Sequence, residues 1–262
     1  MTAWLRLMFT RRIIFIGAVI GFAVLGCDLP NSVAPADDPV TAGGKTLLTE
    51  ADDQQRAAMV KHQLRGRDIS DPQVLRAMQA VPRHEFVPKQ LHSSAYNDGP
   101  LPIGNGQTIS QPYIVALMTQ LGRPKADSQV LDVGTGSGYQ AAVLAEIVKH
   151  VYSIEIVETL ADQAEQRLKR LGYDNVEVRC GDGYQGWPEH APFDLIIVAA
   201  APDHIPQPLI DQLATGGRLI IPIGKFAQVL TVVEKQADGT AKKISVAPVA
   251  FVPMTGQAQG DR

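Results

Sequence analysis

Val130-Leu-Asp-Val-Gly-Thr-Gly-Ser-Gly-Tyr139 decides the fold. Val130 to Val133 is an apolar run broken only by Asp132, as expected of a buried strand. Gly134, Gly136 and Gly138 follow in a GxGxG spacing, and residues 138–148 have the pattern of a helix. Glycine permits the tight turn and lets backbone N–H groups approach a ligand at a helix N-terminus. The next apolar run, Val151-Tyr-Ser-Ile154, ends on Glu155. That carboxylate comes about twenty residues after the first glycine, where it can accept both hydroxyls of a ribose. Strand, glycine turn, helix and acidic second strand together describe a cradle for a nucleoside-bearing cofactor.

The pattern continues outward. Strands are expected at 129–133, 151–155, 175–179, 193–199 and 217–222, and helices at 138–148, 159–171 and 206–214. Such alternation means an α/β, doubly wound, Rossmann-like sheet, mostly parallel, with helices on both faces. Two later β-like runs, 228–234 and 244–252, flank Asp238-Gly239. That dipeptide is a hairpin turn, so an antiparallel C-terminal hairpin is expected. Upstream, Thr49 is placed to cap a helix with Ala57, Val60 and Leu64 on its apolar face, ending near Gly66. Asp71-Pro72 starts a second helix carrying Val74, Leu75 and Met78, which Val81-Pro82 closes. Residues 99–112 are rich in glycine and proline and read as loop, followed by a helix from Tyr113 to Leu121.

The dinucleotide fingerprint GxGxxG places its third glycine one position later than here. Asp132 at the strand end would repel a pyrophosphate and suits a cationic sulfonium better. Gly181-Asp-Gly183 follows the third strand, where Asp182 can accept from an adenine amino group. Asp194 opens the fourth strand and Gly216-Gly217 precedes the fifth. This ordered set resembles the class I S-adenosylmethionine-dependent methyltransferases. The resemblance implies S-adenosyl-L-methionine as cofactor, held at Asp132, Gly134, Gly136, Gly138, Glu155, Asp182 and Gly183.

The segment Leu101-Pro-Ile-Gly-Asn-Gly-Gln-Thr-Ile-Ser-Gln-Pro-Tyr113 is similar to the substrate loop of protein-L-isoaspartate (D-aspartate) O-methyltransferases. Val81-Pro-Arg-His-Glu-Phe-Val-Pro88, Gly181 to Trp187, Phe193 to Pro202 and Phe251-Val-Pro-Met254 extend the resemblance over residues 50–256. It implies Ser110 as the active-site serine, with Thr108, Ile109, Gln111, Pro112 and Thr255 on the substrate side. Two positions depart from the family: Asn105 stands where His, Gln or Tyr is common, and Ala250 where bacterial relatives often carry Arg. The implied activity is methyl esterification of the free carboxylate of L-isoaspartyl and D-aspartyl residues in damaged proteins. The ester then collapses to a succinimide that partly reopens as normal aspartate. That carboxylate is already ionised at neutral pH and needs no strong base. It needs orientation behind the sulfonium methyl group and exclusion of water. The alternatives are a methyltransferase of the same fold acting on a small-molecule acid, a membrane-tethered binding module without turnover, and a dinucleotide oxidoreductase.

The 262 residues are 45% hydrophobic, enough for one sizeable α/β core with appendages. A net charge of -3 without a Lys/Arg stripe gives no nucleic-acid footprint. Cys27 and Cys180 form no disulfide framework or zinc spacing, and the six histidines make no HExxH pair, so no metal is expected. Arg6, Arg11 and Arg12 precede an uncharged run from Ile13 to Gly26, the pattern of a secretory signal peptide. Val24-Leu-Gly-Cys27 resembles a lipobox, which implies lipidation of Cys27, and Asp28 resembles an inner-membrane retention signal. Residues 1–27 are thus read as signal peptide and lipobox, and 28–48 as a flexible tether. Residues 49–258 form the methyltransferase domain, with helices and substrate loop over 49–128 and the cofactor-binding sheet over 129–258. The expected location is the periplasmic face of the inner membrane, by a lipid anchor, whereas the family's usual location is cytoplasmic. Expected protein partners are isoaspartyl-containing proteins and peptides; no residue pattern speaks to oligomeric state.

Overall fold

The alternating runs assemble into a seven-stranded sheet in a computed structural model that describes residues 50–259. Cys27, the tether and the Thr49 cap lie outside the described residues. Five strands are parallel: β3 (Gln129–Val133), β4 (His150–Glu155), β5 (Val176–Cys180), β6 (Phe193–Val198) and β7 (Leu213–Ile223). β8 (Gln228–Lys235) and β9 (Ala241–Val249) are antiparallel to their neighbours. The order is β5-β4-β3-β6-β7-β8-β9. The chain therefore winds outward from β3 on one side, then returns to its other side at β6. Ligands bind beyond the carboxyl ends of the strands at such a switch point.

Burial on both faces explains the continuous apolar runs. Val130, Leu195 and Ile197 join one core with residues of α3 (Pro112–Gly122) and α4 (Tyr139–Ala145). Leu131, Val133, Ile196 and Val198 join the other with Trp187 and with Leu209 of α6 (Gln207–Asp211). Each such buried side chain stabilises the fold by about 1.5–3 kcal/mol. α5 (Glu158–Arg170) buries Leu160, Ala161, Ala164 and Leu168, a stripe at helical spacing. The N-terminal region contributes α1 (Glu50–Ala58), continued by a π-helical turn over Met59–Arg65, and α2 (Pro72–Ala80). Asp71 caps α2 as expected, accepting from the N–H groups of Gln73 at 2.8 Å and Val74 at 3.3 Å.

Three expectations are corrected. Residues 99–112 are not all loop: β1 (Leu101–Gly104) and β2 (Gln107–Ile109) form a small antiparallel hairpin. Its tip is Asn105-Gly106, with φ of 51° and 70°. This is the left-handed pair that a two-residue hairpin turn demands, so the Asn-Gly dipeptide was the signal. The helix expected over 206–214 is only Gln207–Asp211, because Leu213 already pairs with Phe193 in β7. The register then shifts, and Leu195 pairs with Arg218, so the intervening residues form an irregularity in the strand. The last strand ends at Val249 rather than 252. The chain beyond it crosses to the end of β6, where Ala201 donates to Val252 O at 2.8 Å and Met254 donates to Ala201 O at 2.9 Å.

Gly138 caps α4 with φ of 88°, and a Cβ there would meet Leu168 Cδ1 of α5 at 3.2 Å. Gly138→Ala is therefore expected to cost about 1–3 kcal/mol through backbone strain and crowding. Urea denaturation of the two proteins measures it; unchanged stability would disprove this packing account.

Candidate active site

The site is built where β3 ends. Gly134 and Thr135 donate their N–H groups to Ile154 O of β4, at 2.8 and 3.1 Å. Gly134, Gly136 and Gly138 have φ of 91°, 53° and 88°, so the turn is left-handed at every glycine. Glu155 stands beside it at the end of β4, 6% exposed. Its Oε2 accepts from Gly136 N–H at 2.8 Å and its Oε1 from Val157 N–H at 3.0 Å. Two backbone donors fix the carboxylate and leave further lone pairs for hydroxyl donors. Asp182, just past β5, is held in the same manner, by Tyr184 N–H at 2.9 Å and Gln257 N–H at 2.8 Å.

These groups wall a cleft of about 890 Å³, counted to its open mouth. Of the expected cofactor residues, Gly134, Gly136, Glu155, Asp182 and Gly183 line it; Asp132 and Gly138 do not. Gly138 serves the turn and its packing on α5. Asp132 is fully buried: its Oδ2 accepts from Ser153 Oγ at 2.8 Å, and its Oδ1 has no partner. Ser153 Oγ lies 2.6 Å from Thr135 Oγ1 in the glycine turn. The expectation that Asp132 itself faces the ligand is therefore corrected: Thr135 lines the cleft, and Asp132 braces the turn from beneath through Ser153.

On the substrate side, Thr108, Ile109, Ser110 and Thr255 line the same cleft. A second groove, of about 990 Å³ to its mouth, runs past Pro100, Gln111, Ile114 and residues 248–252. Thr108, Ser110, Ala199 and Val252 line both, so the two cavities meet at Ser110. The cap of α3 is Gln111, not Ser110, and no side chain makes the capping bond. Pro112 begins α3, is buried and lines neither cavity, so its expected substrate contact is not made by its side chain. Ala250 lines the groove, whereas Asn105 sits at the hairpin tip and donates to Thr159 Oγ1 at 3.3 Å. No charged side chain lines the groove.

Sequence reasoning missed Gln107, Ser137, Gln140, Ile156 and Met254, which also line the cleft. Gln107, Ser137 and Met254 lie within the stretches quoted above, but a linear motif does not say which of its side chains face a cavity; Gln140 and Ile156 lie just outside those stretches. Among the described residues no group of three or more His, Cys, Asp or Glu is placed to hold a metal. No helix of the described residues is long and apolar enough to cross a membrane.

A switch-point cleft, a glycine turn and two carboxylates held on its wall by backbone N–H groups fit an S-adenosylmethionine-dependent methyltransferase site. The donor set fits that cofactor: two fixed acceptors for hydroxyl and amino groups, and no cation to bind a pyrophosphate. Residues 54–259 match the model of the family "Protein-L-isoaspartate(D-aspartate) O-methyltransferase (PCMT)", and the chain belongs to that family. It is 54% identical over 242 residues to protein-L-isoaspartate O-methyltransferase 2 of Syntrophobacter fumaroxidans, covering 92% of this chain and 97% of the relative. It is 58% identical to the Synechococcus protein-L-isoaspartate O-methyltransferase, covering 86% of this chain and 95% of that one. Among solved structures, a Plasmodium falciparum protein-L-isoaspartate O-methyltransferase in complex with S-adenosyl-L-homocysteine superposes with a TM-score of 0.67. That pair is 29% identical and covers 77% of this chain and 98% of the other.

Burial, helped by the nearby charge of Glu155, pushes the Asp132 carboxyl up to about 7, against the opposing bond from Ser153. The folded chain holds this proton well above the ordinary carboxylate range, so the contribution of Asp132 to stability falls as pH rises from about 4 to about 7 and levels off above. Asp132→Asn keeps an acceptor for Ser153 and cannot ionise. It is expected to gain roughly 1–3 kcal/mol on the wild type between about pH 5 and about pH 8. Urea melts at both pH values measure this, and a constant difference would contradict it.

Proposed function

We propose that this chain transfers the methyl group of S-adenosylmethionine to the free carboxylate of L-isoaspartyl, and D-aspartyl, residues in altered proteins. The ester then starts their return to normal aspartate through a succinimide. The observation that carries this reading is the meeting of a cofactor cleft and an uncharged groove at Thr108 and Ser110. Membership of the family supports the same substrate class.

The residues divide the work. Glu155 would hold the ribose hydroxyls, Asp182 the adenine amino group, and the Gly134–Gly136 backbone the remainder of the cofactor. When bound, the cofactor supplies a methyl group on a cationic sulfur. The peptide carboxylate is already a nucleophile and no side chain is needed to remove a proton from it. The Ser110 hydroxyl, which accepts and donates no bond among the described residues, is free to orient one carboxylate oxygen toward the cleft. A lysine or arginine in the groove would stabilise the ionised substrate more than the transition state, because methylation removes that charge. A neutral groove avoids this loss, and filling it excludes water from the reacting groups.

One peptide sequence made with isoaspartyl or normal aspartyl tests the assignment. The wild type should methylate the first and leave the second. Ser110→Ala should lower turnover about tenfold or more while cofactor affinity stays close to wild type. Equal methylation of both peptides would defeat the repair reading.

Lipidation at Cys27, with the catalytic domain on the periplasmic face, is the second part of the proposal. Its support is the basic start, the short apolar run and Val24-Leu-Gly-Cys27, all outside the described residues. Protease added to spheroplasts should then digest the domain; full protection would place it in the cytoplasm.

A further inference from the structure

We propose that Asp98 and Arg67 orient Gln111 so that its side-chain carbonyl faces the peptide groove and accepts a backbone N–H flanking the isoaspartyl residue. The proposal rests on the reading that this groove holds the peptide.

Gln111 follows Ser110 and lines the groove. Its Nε2 donates to Asp98 Oδ1 at 2.7 Å and to Asp98 O at 3.4 Å. An ionised carboxylate only accepts, so the end of the amide that meets Asp98 is the NH2. The carbonyl end is left over: Oε1 receives no hydrogen bond from a described residue and is not sealed from solvent. The groove wall beside Ser110 thus presents an acceptor, the group that matches a peptide N–H.

Asp98 is itself held. Arg67 Nη2 pairs with its Oδ2. The Arg67 guanidinium lies 4.6 Å over the Tyr113 ring, and the Tyr113 hydroxyl donates to Asp68 Oδ1 at 2.8 Å. Arg67 has a second effect. An unpaired Asp98 would repel an incoming carboxylate, and the guanidinium offsets that charge. As a partly exposed pair it contributes little to stability, so its loss should alter peptide handling before folding. Gln111 touches the substrate in this scheme; Asp98 and Arg67 are positioning residues.

Three isoaspartyl peptides of one sequence test it: unmodified, N-methylated on the isoaspartyl nitrogen, and N-methylated on the next residue. For the wild type, KM should rise roughly five- to tenfold for one of the two methylated peptides, with kcat nearly unchanged. Gln111→Leu and Asp98→Ala should erase the discrimination by raising KM for the unmodified peptide to the same level. Asp98→Asn still offers an oxygen to the Gln111 NH2 and should retain it. Cofactor affinity by calorimetry should be the same in all of them, which separates the effect from misfolding. Equal KM for the three peptides in the wild type, or discrimination kept by Gln111→Leu, overturns the proposal. Ala250→Trp crowds the groove from another segment of the chain. If it leaves peptide KM untouched, the groove reading fails and this proposal with it. If it raises KM while Gln111→Leu keeps the discrimination, only the Gln111 assignment fails.

Discussion

Gly136 donates its N–H to Glu155 across 2.8 Å, and this bond ties the turn after β3 to the acidic end of β4. It requires parallel pairing of the two strands in the register that sets Val133 beside Ile154. It also requires left-handed backbone at the glycines, which side chains would strain. The same carboxylate takes a second bond from Val157, at the start of α5. One charged group is therefore pinned between two helix entries, with its remaining acceptor capacity facing the cleft. Elsewhere along the cleft the pattern repeats, as Asp182 is pinned between Tyr184 and Gln257. Both sites use backbone donors to hold an acceptor ready for a ligand.

Beneath this wall lies a carboxyl that does not line the cleft. Asp132 occupies a strand position whose neighbours are apolar, and its one bond runs to Ser153. The cost of burying it is visible in its raised proton affinity. Through Ser153 and Thr135 it reaches the turn, so it shapes the cleft while remaining outside it. On the other side, no charged side chain lines the second groove among the described residues. The division is chemical: the cleft carries two carboxylates held by backbone donors, and the groove carries only neutral side chains.

Much of the fold was legible because each strand's apolar run is local and every helix carries its own period. Four of the five parallel strands stand close to their expected limits, while β7 begins at Leu213, four residues early, and takes in Gly216-Gly217. The misses came where a local signal was weak or overridden. Asn105-Gly106 sits among prolines and glycines whose loop signal masks its hairpin signal. Residues 212–214 are compatible with helix, yet the pairing of Leu213 with Phe193 claims them for β7. Asp132 is conspicuous in an apolar strand, yet it enters the core and not the cleft, because a strand's sequence does not say which core a side chain enters.

The sequence by itself determined the class of fold, the glycine turn, the acidic strand end and the family, since these rest on residues a few positions apart. Only the tertiary structure decided that two cavities meet at Ser110 and that the segment after β9 closes the cleft through Ala201. Those contacts join residues far apart in the chain. Their partners are chosen by how the sheet and helices pack, and no local pattern records that choice.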